Sequence, residues 1–286
     1  MKFNITVIDP KGFPWTHFLF DGCKFFCYAL EELGHDCSIR LNYLEPSRLN
    51  ILVGGHHLAS PEHVMQIAGA GDYIVYQSEI IREDTLNLSS DRQQFERVYL
   101  PLLQRALSVW EGTPINVPIL EALGCRTQTY VAGYVRALEE IVHKRNKDID
   151  FLFFGSLTPH RKEILGQLEA RGHSLVTVFD LQAFYRNDLI ARAKVPLAPR
   201  QSSAMNHLPY GRICYLINNR MPVVVEQCID QEWLEDCFFW SDTEGWVDLC
   251  VETLLRPDLK EATDEKYERF RSMPFSAQVA RLLDEL

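Results

Sequence analysis

Short apolar runs alternate with amphipathic stretches along almost the whole chain. FNITVID (Phe3 to Asp9) predicts a strand, and a loop rich in glycine, proline and aromatics, KGFPWTHFLFDG, follows it. CKFFCYALEELG carries apolar residues at helical spacing up to Gly34, a residue type suited to end a helix. CSIRLN (Cys37 to Asn42) and NILVGG (Asn50 to Gly55) predict two more strands, PEHVMQIAGAG a helix, and DYIVYQSE (Asp72 to Glu79) a fourth strand. The amphipathic RQQFERVYLPLLQRA, then SVWEG, the helical PINVPILEALG and RTQTYVAGY keep the rhythm to about residue 135. Strands this short and apolar, separated by helices, predict a parallel α/β sheet covered on both faces.

RALEEIVHKRNKD, from Arg136 to Asp148, is charged and helix-forming, and it separates two stretches that each restart with a strand and an open loop. We place a domain boundary there, giving 1–140 and 141–286. The second half runs IDFLFFGS, a helix RKEILGQLEARG, SLVTVFD, a helix RNDLIARA, KVPLAP, a helix RICYLINNR, MPVVVEQ and acidic helical segments. The matching alternation predicts two Rossmann-like βαβ domains facing across a cleft, with the final helix, AQVARLLDEL, able to cross back over the junction.

Composition narrows the class. At roughly 150 residues per domain, 286 residues make two compact domains or one large one. With 47% hydrophobic and 24% charged residues, disorder as the main state is excluded. Lys+Arg 29 against Asp+Glu 39 gives −10, the opposite of the basic footprint of a duplex-DNA binder. A local basic pocket remains compatible with that charge, so nucleotides stay admissible ligands and a modified base stays open as a substrate. No signal peptide or apolar span is evident, and a soluble cytoplasmic protein is expected. The eight cysteines lie in apolar segments without zinc-site spacing, so free, mostly buried thiols are expected.

DFLFFGSLTPHRKEIL, from Asp150 to Leu165, carries the strongest chemical signal. A strand ends in Gly155-Ser156, and a polar loop leads into a helix with Arg161 and Lys162 in its first turn. Helix N–H groups, the positive dipole end, the Ser156 and Thr158 hydroxyls and the two cations can converge on phosphate oxygens. An ordinary strand-loop-helix junction with surface basic residues would show the same pattern. The spacing is neither GxGxxG nor a P-loop, which weakens dehydrogenase and ATPase readings. In HLPYGRICYLINNRMPVVVEQ, Arg212 near a helix start could answer a phosphate, and Glu226 at a strand end could meet sugar or ribose hydroxyls. Lys194 is a further candidate cation. A helix-surface charge, a solvated strand end and a strand-start lysine are the plainer readings of these three.

These segments, with YIVYQSE, VWEGTPINVPILEALG and YVAGY in the first half and DLIARAKVPL in the second, resemble short bacterial glycosyltransferases of the two-Rossmann-domain GT-B type, family 1-like and close to the CgeB-like branch. The resemblance implies a nucleotide-sugar donor in the C-terminal domain and an acceptor against the N-terminal one. Carried over by position, Gly155, Ser156, Arg161 and Lys162 serve the donor diphosphate, and Arg212 and Glu226 line the donor pocket. A UDP-sugar is the favoured co-substrate, with no other cofactor. QCIDQEWLED follows Glu226 where related transferases carry a Gly-Gly loop, so the exact contact of Glu226 stays open.

Glycosyl transfer needs positive charge at the departing diphosphate and, if configuration inverts, a base for the acceptor hydroxyl. Arginine, lysine and a helix N-terminus supply the first without metal. Asp148-Ile149-Asp150 spells a DxD but opens a strand, so no metal site is expected. His17 and Glu79 are the candidate catalytic residues. Trp15, His56 and His57 are candidates on the acceptor side, at strand carboxyl ends or in the loops beyond them. A sugar-nucleotide epimerase-like enzyme and a non-catalytic nucleotide-sugar-binding subunit are the alternatives, and the acceptor is undetermined.

Overall fold

KFNITV forms β1 (Lys2–Val7), buried throughout after Lys2, as a strand covered on both faces must be. The computed structural model describes residues 1–82 and 92–286. The chain divides into two units, Met1–Ala132 with Phe275–Leu286, and Gly133–Pro274.

In the first unit β1 pairs on one side with β2 (Asp36–Leu41) and on the other with β3 (Leu49–Val53). β4 (Tyr73–Gln77), β5 (Ser108–Glu111) and β6 (Thr127–Thr129) extend the sheet in the order β2-β1-β3-β4-β5-β6, every pair parallel. The connecting helices are α1 (Phe20–Glu32), α2 (Pro61–Gly69), α3 (Leu100–Arg105) and α4 (Asn116–Ala122). A π-helical turn, Phe95–Tyr99, leads into α3, so the amphipathic stretch there is wider-wound at its start than a plain helix. Trp110 of β5 is fully buried and stacks on Phe26 of α1 at 5.3 Å. Buried polar residues inside the strands hold the β2–β3 crossover. The Asn4 amide donates to Asn50 Oδ1 (2.9 Å) and the Tyr43 carbonyl (2.9 Å), and Asn50 donates to the Glu45 carbonyl (3.1 Å).

The second unit has β7 (Ile149–Phe154), β8 (Leu175–Val178), β9 (Ala193–Ala198), β10 (Val224–Glu226) and β11 (Phe239–Ser241) in the order β11-β10-β9-β7-β8, again all parallel. Its helices are α5 (Pro159–Ala170), α6 (Ala183–Arg192), α7 (Tyr210–Asn218), α8 (Thr243–Leu255) and α9 (Leu259–Arg271). Phe151, Phe153, Val195, Leu197, Val224 and Trp246 form its core. α10 (Phe275–Asp284) belongs to the first unit, where Phe275 meets Phe26 at 5.0 Å.

Two local expectations are corrected. Arg136 to Asp148 does not form a helix beyond a 3-10 turn at Arg136–Leu138. Its backbone bonds outward instead: the N–H groups of Glu140 and Ile141 both donate to Asn219 Oδ1 at 2.9 Å, and that of Lys144 to the Ala191 carbonyl at 3.1 Å. The tail is not wholly helical after β10, because Phe239–Ser241 adds an edge strand. All eight cysteines are free thiols, seven of them buried. Among the described residues no helix is long and apolar enough to cross a membrane.

Candidate functional site

Both sheets change direction of winding beside their first strand, between β1 and β3 and between β7 and β9. The crevice beyond the strand carboxyl ends at such a point is where open α/β sheets bind ligands.

In the second unit β7 ends at Gly155, whose φ of 144° lies where only glycine is comfortable. A Cβ there would stand 2.4 Å from Arg212 Nη2, so the glycine both permits the turn and makes room for the guanidinium. Thr158 caps α5, its hydroxyl accepting from the Arg161 N–H (3.3 Å) and donating to the Gln201 carbonyl (2.6 Å), and Pro159 follows it in the first turn. Arg161 is buried. Its Nε donates to the carbonyls of Pro199 (3.1 Å) and Arg200 (3.2 Å), and its Nη1 to the carbonyl (3.0 Å) and hydroxyl (3.3 Å) of Ser156. It therefore ties the loop after β7 to the loop after β9.

Arg212, in the first turn of α7, lies with its guanidinium carbon 5.0 Å from the Phe153 ring and 5.4 Å from Phe154. Arg186 of α6 faces Phe154 at 5.5 Å and Tyr215 at 4.8 Å, and Arg161 faces Phe153 at 5.2 Å. Three guanidiniums thus gather around the carboxyl end of β7. Burial lowers Arg212 to about 9, and the charges of Arg161 and Arg186 push the same way. Burial likewise lowers Arg161 to about 10, against an opposing pull from Glu226. Both stay protonated at neutral pH. Arg212 Nη1 is buried without a hydrogen-bond partner, a costly state for a charged donor unless an anion is bound.

Glu226, the last residue of β10, is fully buried. Its carboxylate accepts from His160 Nε2 (3.0 and 2.9 Å), the Arg200 N–H (3.0 Å) and the Thr243 hydroxyl (2.7 Å), and Arg200 Nε lies 3.0 Å away. It joins the first turns of α5 and α8 to the loop after β9, and both oxygens are committed to protein donors. Lys162 is exposed on α5. Lys194 is not brought to this group. It opens β9 at the opposite end of the sheet and pairs with Asp150 at 2.7 Å, while Asp148 pairs with Arg192 at 2.6 Å. Among the described residues no three His, Cys, Asp or Glu side chains are grouped to hold a metal ion.

In the first unit the structure gathers most of the other candidates. Gly54, with φ 74°, turns the chain out of β3 into a 3-10 turn, Gly55–His57. The rings of His56 and His57 lie 4.0 Å apart, and His57 meets Phe13 at 4.2 Å. Burial lowers both histidines to about 4, so they are neutral at physiological pH. The 3.6 Å approach of His56 Nε2 to Glu79 Oε1 is therefore a contact between a neutral ring and a carboxylate, not an ion pair. Glu79 is held by its backbone, whose N–H donates to Gln77 Oε1 (2.9 Å) and whose carbonyl accepts from Asn116 (2.8 Å). Trp15 is 41% exposed and edge-on to Phe13 at 5.7 Å; the ring of His17, two residues on, lies tilted against Phe18 at 4.3 Å.

Sequence reasoning missed His160, Arg186 and Arg200. Arg186 shares its helix with one other basic residue, Arg192, and nothing in the pattern sets it apart, whereas His160 and Arg200 are recognisable only once Glu226 is seen between them. It also missed Glu111 at the end of β5, buried and pushed up to about 7 by desolvation, although Thr113 N–H (2.6 Å), Asn116 (2.9 Å) and Gln77 (3.2 Å) all donate to it.

Two parallel-sheet Rossmann-like units of this kind define a GT-B-like fold. No family model and no curated protein matches the sequence. Among solved structures the chain is similar to AviGT4, a glycosyltransferase involved in avilamycin A biosynthesis, with TM-score 0.57 and 12% identity over 98% of this chain and 96% of that one. T4 phage β-glucosyltransferase gives TM-score 0.57 and 12% identity over 100% and 98%. The pneumococcal O-GlcNAc transferase GtfA, solved with UDP and GlcNAc, gives 0.55 and 10% over 85% of this chain but only 57% of its own. The chain thus spans little more than half the length of GtfA. At these identities the likeness establishes the fold.

Proposed function

We propose that this chain is a glycosyltransferase, of the CgeB-like branch, that takes a nucleoside-diphosphate sugar, favouring a UDP-sugar, in its second unit. The observation that carries this reading is the trio Arg161, Arg186 and Arg212 at the carboxyl end of β7, with Arg212 half-buried and its buried Nη1 unpartnered. A diphosphate matches it: planar guanidiniums bind phosphate oxygens through paired N–H groups, and the charge that builds on the departing diphosphate in the transition state strengthens that contact. The cations supply this charge without a metal ion. Gly155 and Ser156 shape the loop, Thr158 and Arg161 fix it, Lys162 stands at its edge, and Glu226 acts as a positioning residue through His160 and Arg200. In the first unit His17 and Glu79 are the proposed bases for the acceptor hydroxyl, with Trp15, His56 and His57 beside them. Eight free thiols favour a reducing compartment, the cytoplasm.

A thermal-shift series with UDP, GDP, TDP, CMP and ADP tests the reading. One nucleotide at about 100 times its Kd should stabilise the protein by about 2.7 kcal/mol. Arg212→Ala should weaken that nucleotide about 100-fold without lowering the melting temperature of the ligand-free protein, since it removes a half-buried cation crowded by Arg161 and Arg186. Indifference to all five nucleotides would sink the proposal.

A further inference from the structure

A pocket of about 580 Å³ opens in the first unit at the carboxyl ends of β2, β1 and β3, against α2, and it lies within this unit alone. Its place is the winding change between β1 and β3, and its volume falls in the range of about 300–1,000 Å³ typical of sites for drug-sized molecules. Ile8, Leu58 and Ile67, each buried, form an apolar floor. The polar groups on its walls are held in place before any ligand arrives. Asn42, in the left-handed region at φ 49°, clamps the end of β1, with Oδ1 accepting from the Asp9 N–H (2.8 Å) and Nδ2 donating to the Asp9 carbonyl (2.7 Å). The Thr16 hydroxyl donates to Asp9 Oδ1 and fixes the carboxylate. His57 also lines the pocket, as a neutral ring.

The lining therefore lacks the cationic excess of the second unit. Asp9 and the exposed Lys11 balance in formal charge, His57 adds none, and the other lining histidine, His63, stands exposed on α2. An anionic ligand would lose its hydration without a matching set of donors, whereas a neutral molecule would bury its body on the apolar floor and donate to a fixed carboxylate. We propose that this pocket binds a small, uncharged, largely apolar compound through a hydroxyl that donates to Asp9, and that this compound is the acceptor. Its role as acceptor rests on the transferase reading above; the pocket and its ligand class do not.

Calorimetry on the whole chain at pH 8 would compare 2-naphthol with 2-methoxynaphthalene, which lacks the donor, and with 2-naphthoate, which is anionic. The expected result is measurable binding of 2-naphthol, about tenfold tighter than either analogue. Ala59→Phe, which fills the pocket from an exposed lining position, should weaken 2-naphthol about tenfold, and Asp9→Asn should abolish its advantage over the methyl ether. A nucleotide that stabilises the native chain should stabilise both variants equally, which shows them folded. Preference for naphthoate, equal binding to the pocket-filled variant, or no binding of 2-naphthol would each overturn the proposal. Binding of 2-naphthol as expected, in a chain that ignores every nucleotide, would keep the pocket and remove the transferase reading.

Discussion

Each unit buries a glutamate as the last residue of a strand, Glu226 on β10 and Glu111 on β5, and the two carboxylates have opposite surroundings. Glu226 meets His160 and Arg200 as well as the Thr243 hydroxyl, beside a cluster of guanidiniums. Glu111 meets neutral donors instead: the N–H and hydroxyl of Thr113, Gln77 and Asn116. Desolvation wins at Glu111 and raises it to about 7, because neutral dipoles offset only part of the cost of burying its charge. Two sheets with the same winding thus carry different chemistry at the same edge. The second is built around permanent cations suited to an anion, and the first around neutral rings, amides and isolated carboxylates suited to hydroxyl chemistry.

The largest consequence falls on the second unit. Removing one partner of a buried charged group costs about 3–5 kcal/mol, so Glu226→Ala should destabilise the protein by that amount in urea or thermal unfolding. It would leave Arg200 and His160 without their acceptor and release three loops at once. A loss below about 1 kcal/mol would show that the carboxylate is a ligand-facing group rather than a hub, and would erase the contrast with Glu111.

Glu111 should instead make stability depend on pH. Its folded value, about 7, lies above the ordinary 4.5, so the folded state holds its proton where the unfolded state has released it. The associated stability is complete below pH 4.5 and is lost as pH rises through about 7, a change on the order of 3 kcal/mol. Urea midpoints for native protein and Glu111→Gln, taken from pH 5 to 8.5, isolate it: the fall with pH should be shallower in the variant. Parallel curves would mean that the amides around Glu111 stabilise its charge fully, making the two glutamates alike.

Much of this fold is legible in the amino-acid pattern because parallel strands buried on both faces leave continuous apolar runs. That logic finds β1, β3, β4, β7 and β10, and the Gly-Ser turn after β7 with its following arginine. It fails where structure is decided by distant partners. The helix expected over residues 136–148 loses to hydrogen bonds from Asn219, and β11, three residues long, is set by pairing with β10. At the site the same division holds. Gly155, Thr158 and Arg161 are local features of one junction, whereas the convergence of Arg186 and Arg212 on Phe153 and Phe154 depends on how α6 and α7 pack, and the pattern of neither helix encodes it.

Lys194 supplies the smallest prediction and the sharpest test of the boundary between the two ends of the sheet. The residue is the second of its strand, and in a parallel sheet the amino ends of the strands lie away from the ligand crevice. There it pairs with Asp150, with 43% of its side chain exposed, and ion pairs that open to water contribute about 0–1 kcal/mol. Lys194→Ala should therefore lower stability by less than about 1 kcal/mol and leave nucleotide affinity unchanged within about twofold. A loss of nucleotide affinity approaching that of Arg212→Ala would place positive charge from the far edge of the sheet at the diphosphate. The division between a structural end and a ligand end in the second unit would then be wrong.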